Sequence, residues 1–174
     1  MVKAELIILS LVKELRGRNR EYVIPNLYLG NWECDVYSET AKYSEEYEVK
    51  ISRADYWNDF SKSYKFYSGG TINKHELIKE GKRVNRFWFV TPMELTKMEN
   101  LILLTDIPSY AGLIYFFPED YAKFKIIKQA PLLSRENLLH PKAVVNASYH
   151  RYCHYSSKYY RGGINELKKS VELI

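Results

Sequence analysis

The stretch Trp32–Phe60, WECDVYSETAKYSEEYEVKISRADYWNDF, decides the fold. Trp32, Cys34 and Val36 alternate with Glu33, Asp35 and Tyr37; Tyr47, Val49 and Ile51 alternate with Glu46, Glu48 and Lys50. Successive strand side chains point to opposite faces, so a period of two predicts two strands, each with one buried face. The polar stretch Ser38–Glu45 between them suits a hairpin connection. Ser52 stands where a helix would begin, and Arg53–Tyr64 is its expected body.

Upstream, Leu6, Ile7, Leu9, Leu11, Val12 and Leu15 recur at helical spacing and predict a helix over 3–16, with Gly17 at its end. Glu21–Leu29 reads as extended around Pro25-Asn26. Downstream, 65–84 is polar, with Gly69-Gly70 and Gly81, and reads as a loop with a short helix. Phe87, Trp88 and Phe89 together make Arg86–Val90 a strand buried on both faces. Thr91-Pro92-Met93-Glu94 has the form of a capped helix start, running toward Leu104. Leu113–Phe117 and Lys123–Lys128 read as further strands, 137–160 as helix broken near His140-Pro141, and 165–174 as a short terminal helix. The expected whole is α/β: one domain over 1–174, with a core at 1–130 and a helical segment at 131–174, built on a central mixed sheet flanked by helices.

The 174 residues suit a single core, and 46% apolar with 27% charged residues excludes a disordered chain, a collagen and a coiled-coil rod. The longest apolar run, Ala4–Val12, is broken by Glu5 and Ser10 and falls short of the ~20 residues of a membrane span. No membrane partner and a cytoplasmic location are expected, with Cys34 and Cys153 as reduced thiols. His150 and His154 supply too few ligands for zinc. Lys+Arg exceeds Asp+Glu by 26 − 21 = 5, a basic balance that permits a polyanionic partner. Sixteen tyrosines serve either as surface-tolerant core filler or as stacking groups. Nothing in the sequence sets an oligomeric state.

The chemistry-bearing constellation is Asp35 with Glu48-Val49-Lys50. Glu48 and Lys50 are two apart on one strand and leave the same face. A carboxylate from each of two neighbouring strands with a lysine alongside suits a Mg²⁺-dependent phosphodiesterase, because carboxylates are hard ligands for Mg²⁺ and the metal activates water. The same alternation also describes an ordinary solvated strand face.

The 32–60 run resembles the core of the PD-(D/E)xK nuclease superfamily, the restriction-endonuclease-like fold, and within it the MmcB-like nucleases associated with DNA repair. Arg86-Phe-Trp-Phe-Val-Thr-Pro and Ile107-Pro-Ser-Tyr-Ala-Gly-Leu-Ile resemble further strands of that family. The resemblance implies a three-layer domain, a nuclease acting on DNA, and Mg²⁺ or Mn²⁺ held by Asp35, Glu48 and the Val49 carbonyl, with Lys50 positioning the attacking water. It also implies a helical carboxylate ahead of the sheet, for which Glu5 stands on one stripe with Leu9 and Val12. A first-turn Glu favoured by the helix dipole explains Glu5 equally. Arg53, with Ser52 and Asp55, would line the rim; Lys62, Lys65, Lys74, Lys79, Lys82 and Arg83 would track a phosphate backbone, or form a solvated basic loop. Asp55 and Asp59, four apart, need a cation nearby, which Arg53 or Lys62 can supply. Cys34 stands where the superfamily has Pro, and 61–84 is longer and more basic than the family pattern. The alternative to a nuclease is a non-catalytic nucleic-acid-binding or assembly module on the same fold.

Overall fold

A computed structural model describes residues 3–29, 31–93, 101–120, 123–136, 138, 140 and 144. The tail helix, Cys153, the His150/His154 pair and nearly all of the helix expected over 137–160 lie outside them. The chain divides into two units, Met1–His140 and Pro141–Ile174, and the elements below belong to the first.

Helix α1 (Ala4–Arg16) is followed by strands β1 (Tyr22–Leu29), β2 (Trp32–Glu39) and β3 (Ser44–Val49). Helix α2 (Arg53–Asp59), the short strands β4 (Ser63–Lys65) and β5 (Thr71–Asn73) and helix α3 (Lys74–Lys79) lead to β6 (Arg86–Pro92). A 3₁₀ turn (Leu104–Asp106) precedes β7 (Ala111–Phe117) and β8 (Lys123–Lys128). The six-stranded sheet has the order β1-β2-β3-β6-β7-β8. Its central pairs β3·β6 and β6·β7 are parallel and the outer pairs antiparallel, so the sheet is mixed. Among the described residues no helix is long and apolar enough to cross a membrane.

Alternation on the strands assigns the two faces. Val36, Tyr47, Val49, Trp88, Val90, Ile114 and Phe116 form one core with Ile7, Leu11, Val12 and Leu15 of α1. Phe87 and Phe89, of opposite parity, meet His75 of α3, and Phe89 also meets Tyr56 of α2. The sheet therefore lies between α1 on one face and α2 and α3 on the other, three layers in all. Gly112 in β7 lies opposite Trp88. A Cβ there would overlap the indole ring and come within 2.7 Å of the Ala130 nitrogen, so only glycine admits this approach.

The structure corrects several expectations. Helix α2 stops at Asp59 instead of reaching Tyr64, and 63–73 forms a hairpin. Thr91 and Pro92 extend β6, pairing with Tyr115 and Phe116, instead of opening a helix. Pro92 is tolerated because β3 has ended by then: Lys50 N–H, bonded to the Val90 carbonyl at 2.8 Å, is the last contact on that side. Of the helix expected to run from there toward Leu104, 94–100 lie outside the described residues, and 101–103 are not helical. Strand β3 is buried on both faces instead of one. Glu5 is exposed, as is Leu9 of the same stripe at 66%. The stripe that α1 buries is Ile7, Leu11, Val12 and Leu15, and α1 packs on the face away from Glu48, so Glu5 does not join that residue.

Candidate functional site

Glu46, Glu48 and Lys50 share the face of β3 that α2 and α3 cover. Ser52 caps α2, its hydroxyl accepting from Asp55 N–H at 3.1 Å, while Asp55 Oδ2 accepts from Ile51 N–H at 3.2 Å. This reciprocal cap turns the chain back immediately after β3 and explains Asp55 without a rim role. It also brings Asp59, at the far end of α2, down onto the charged face. Asn73 caps α3 in the same way, accepting from His75 N–H at 2.8 Å, and so places Lys74 and His75 in that helix's first turn.

The result is a buried ionic network. Lys50 Nζ donates to Glu48 Oε2 at 2.9 Å and to Asp59 Oδ1 at 2.8 Å. Lys74, with no exposed surface, pairs with Glu48 Oε1, lies 3.1 Å from Glu46 Oε1 and 3.9 Å from Asp59 Oδ2. Arg83 pairs with Glu46 at 2.6 Å and donates to the Leu29 carbonyl at 2.6 Å and the Trp32 carbonyl at 3.3 Å. His75 Nε2 lies 2.8 Å from Asp59 Oδ2, and its Nδ1 lies 2.9 Å from the Tyr110 hydroxyl. Its ring stacks on Phe60 at 4.4 Å. At the half-exposed rim Lys62 reaches Asp59 at 2.5 Å, the local cation that the Asp55/Asp59 spacing called for.

Three carboxylates (Glu46, Glu48, Asp59) thus face three buried cations (Lys50, Lys74, Arg83). Burial alone would raise the Asp59 pKa, yet the His75 hydrogen bond and the lysines hold it well below the usual range. Burial likewise opposes ionisation of Glu46, and Lys74 and Arg83 outweigh it, lowering its pKa. For Lys50 and Lys74 burial would lower the pKa, but their carboxylate partners raise it.

Asp35 behaves oppositely. The β2·β3 ladder ends at Val36↔Tyr47, and Asp35 Oδ2 accepts the next free amide, Val49 N–H, at 2.7 Å. Burial, then repulsion by Glu48, pushes its carboxyl up to about 6. Asp35, Glu48 and Lys50 are therefore neighbours at the end of β3.

Mg²⁺ binds through free carboxylate oxygens, waters and phosphate. Glu48 offers neither oxygen: one is held by Lys74, the other by Lys50. Among the described residues no group of three or more His, Cys, Asp or Glu side chains is arranged to hold a metal. As placed, these side chains do not fit a divalent cation. The Lys74 ammonium sits among Glu46, Glu48 and Asp59.

The basic residues divide. Lys74 and Arg83 are buried in ion pairs and do not present their charge to a phosphate backbone, contrary to expectation. Arg53 is tied to Asp106 at 3.0 Å and to the Leu101 carbonyl. Lys82 is exposed and pairs with Glu80 at 2.8 Å. Lys65 and Lys79 are exposed. Sequence reasoning missed Glu46, Lys74, His75 and Tyr110 as members of the cluster. The available signal was Asn73 as a cap, which sets Lys74-His75 at a helix start.

No family model matches the chain, and neither does any curated protein. The solved structure of SPO1766, a protein of unknown function from Silicibacter pomeroyi, superposes with a TM-score of 0.55 over 92% of each chain at 16% identity. Pyrococcus furiosus SfsA, solved in complex with Ca²⁺, gives a TM-score of 0.36 at 13% identity, over 74% of this chain and 61% of that one. What the chain shares with SPO1766 is its fold.

Proposed function

We propose that this chain is a non-catalytic nucleic-acid-binding module on a restriction-endonuclease-like fold. The observation that carries the reading is Glu48: both its oxygens are engaged by buried lysines within a charge-balanced network. A network of this kind fixes the α2–α3 layer onto the sheet and leaves Glu48 without a free oxygen for a metal. The net charge of +5 and the exposed Lys65 and Lys79 favour a polyanion such as DNA as partner. Calorimetric titration with Mg²⁺ and Mn²⁺, beside digestion of single- and double-stranded DNA and RNA, tests it. The expected outcome is nucleic-acid binding that EDTA leaves unchanged, without cleavage. Metal-dependent cutting that disappears in Lys50→Ala would instead make the chain a phosphodiesterase, with Asp35 and Glu48 as ligands.

A further inference from the structure

Strands β4 and β5 stand apart from the main sheet and pair only with each other, Ser63↔Asn73 to Lys65↔Thr71. Both roots of this hairpin are fixed to the charged cluster. Lys62, which opens it, is paired with Asp59, and the Lys62 carbonyl accepts from Lys74 N–H at 3.1 Å. Asn73 Nδ2, where it closes, donates to the Phe60 carbonyl at 3.0 Å. Its tip is a closed turn: Phe66 N–H bonds the Gly70 carbonyl at 2.8 Å and Gly69 N–H the Phe66 carbonyl at 3.0 Å. Gly69, at φ 88°, supplies the left-handed residue this turn needs.

A turn braced in this way presents Tyr67 wholly to solvent, at 108%, with Phe66 at 44% and Lys65 beside them. Tyr64 supports Phe66 edge-on, ring centroids 5.3 Å apart. From Ser61 to Asn73 there are two lysines and no acidic residue. Tyr67, wholly exposed, buries no ring surface against the fold. Lysine is depleted at protein interfaces, which argues against an apolar protein partner. Rings interleaved with lysines match a chain of unpaired bases joined by phosphates, in which each base offers a π-face and each link a negative charge. In a duplex those faces are already covered by their neighbours.

We propose that the β4–β5 hairpin is a stacking platform for single-stranded nucleic acid. This rests on the nucleic-acid-binding reading above and adds its strandedness and its contact residues. The test is fluorescence anisotropy of the full chain with labelled oligo-dT, oligo-rU and a duplex of equal length. Wild type should bind the single strands more tightly than the duplex. Tyr67→Leu and Phe66→Leu, which keep bulk but remove the ring, should each weaken single-strand binding by about 5- to 100-fold. Tyr67→Phe should retain it. These sites are exposed, so the variants should fold like wild type, which their circular dichroism checks. Equal binding of duplex and single strand, or Tyr67→Leu binding like wild type, overturns the platform and leaves nucleic-acid binding standing. Wild type that binds none of the probes overturns both.

Discussion

Asp35 and Asp59 sit at one site and are pushed in opposite directions. Asp59 has cations on every side; Asp35 has burial and Glu48, and its carboxyl rises to about 6. A carboxylate whose folded pKa lies above its unfolded value near 3.8 favours the protonated folded form. Its penalty is absent below the unfolded pKa, grows as pH rises toward 6, and is complete above it. Asp35→Asn keeps an oxygen for Val49 N–H and removes the charge. It should therefore stabilise the fold at pH 7 by about 1–3 kcal/mol and change little at pH 4. Urea unfolding at the two pH values checks this, and equal effects at both would mean that burial and Glu48 do not raise the Asp35 carboxyl. Lys74 is the complementary case. Lys74→Met leaves Glu46, Glu48 and Asp59 without their shared ammonium, and should cost about 3–5 kcal/mol, as breaking a buried pair does. If that ammonium fills a cation's place, Mn²⁺ should raise the melting temperature of Lys74→Met and not that of wild type. A wild-type melting temperature that rises as much would place the metal elsewhere. Asp35, Glu48 and Lys50 were legible as a group because alternation alone gives their faces. Lys74 was not, because its partners lie 26 and 28 residues earlier on another element and local spacing carries no trace of them.

Strand β3 shows why pattern reading places elements better than it judges their surroundings. Glu46, Glu48 and Lys50 alternate with Tyr47 and Val49 in the way of any half-solvated strand, and the strand is indeed there. Yet charges covered by opposite charges look, in sequence, the same as charges covered by water. Only the helices that follow, with their own charges, decide between the two. Strand β6 teaches a related lesson: the Thr91-Pro92 signal for a helix start is overridden by pairing with β7, since local preference yields to a ladder that still has partners. The paired strand β7 also carries a constraint that was invisible in sequence. Gly112 sits in the middle of a strand, where glycine normally weakens structure. It is required because the Trp88 indole occupies the space over it. Gly112→Ala should overpack this spot and destabilise by about 1–3 kcal/mol. A lowered urea midpoint with an unchanged slope would agree; an unchanged midpoint would mean that Trp88 can move aside freely.

Across the whole molecule, charge works in two settings that salt distinguishes. The network around Lys74 and Asp59 is buried, so mobile ions reach it poorly and screen it little. Lys65 of the hairpin and Lys79 of α3 lie in water, where binding a phosphate releases counterions and salt opposes the association. The two should therefore separate under one variable. Raising KCl should leave the urea midpoint of wild type nearly fixed. Over the same range, affinity for a single-stranded oligonucleotide should fall with a log–log slope of about −0.7 per phosphate contacted. On the proposed binding, Lys65→Ala should make that slope shallower by about 0.7 and leave the urea midpoint unchanged, since Lys65 is exposed and would meet phosphate without supporting the fold. Lys74→Met should do the reverse, lowering the midpoint while the folded fraction keeps the wild-type salt slope. Paired anisotropy and unfolding titrations on these variants check the division. If Lys74→Met flattens the slope as Lys65→Ala does, the buried ammonium is reaching phosphate after all, and the charged face of β3 opens to the ligand.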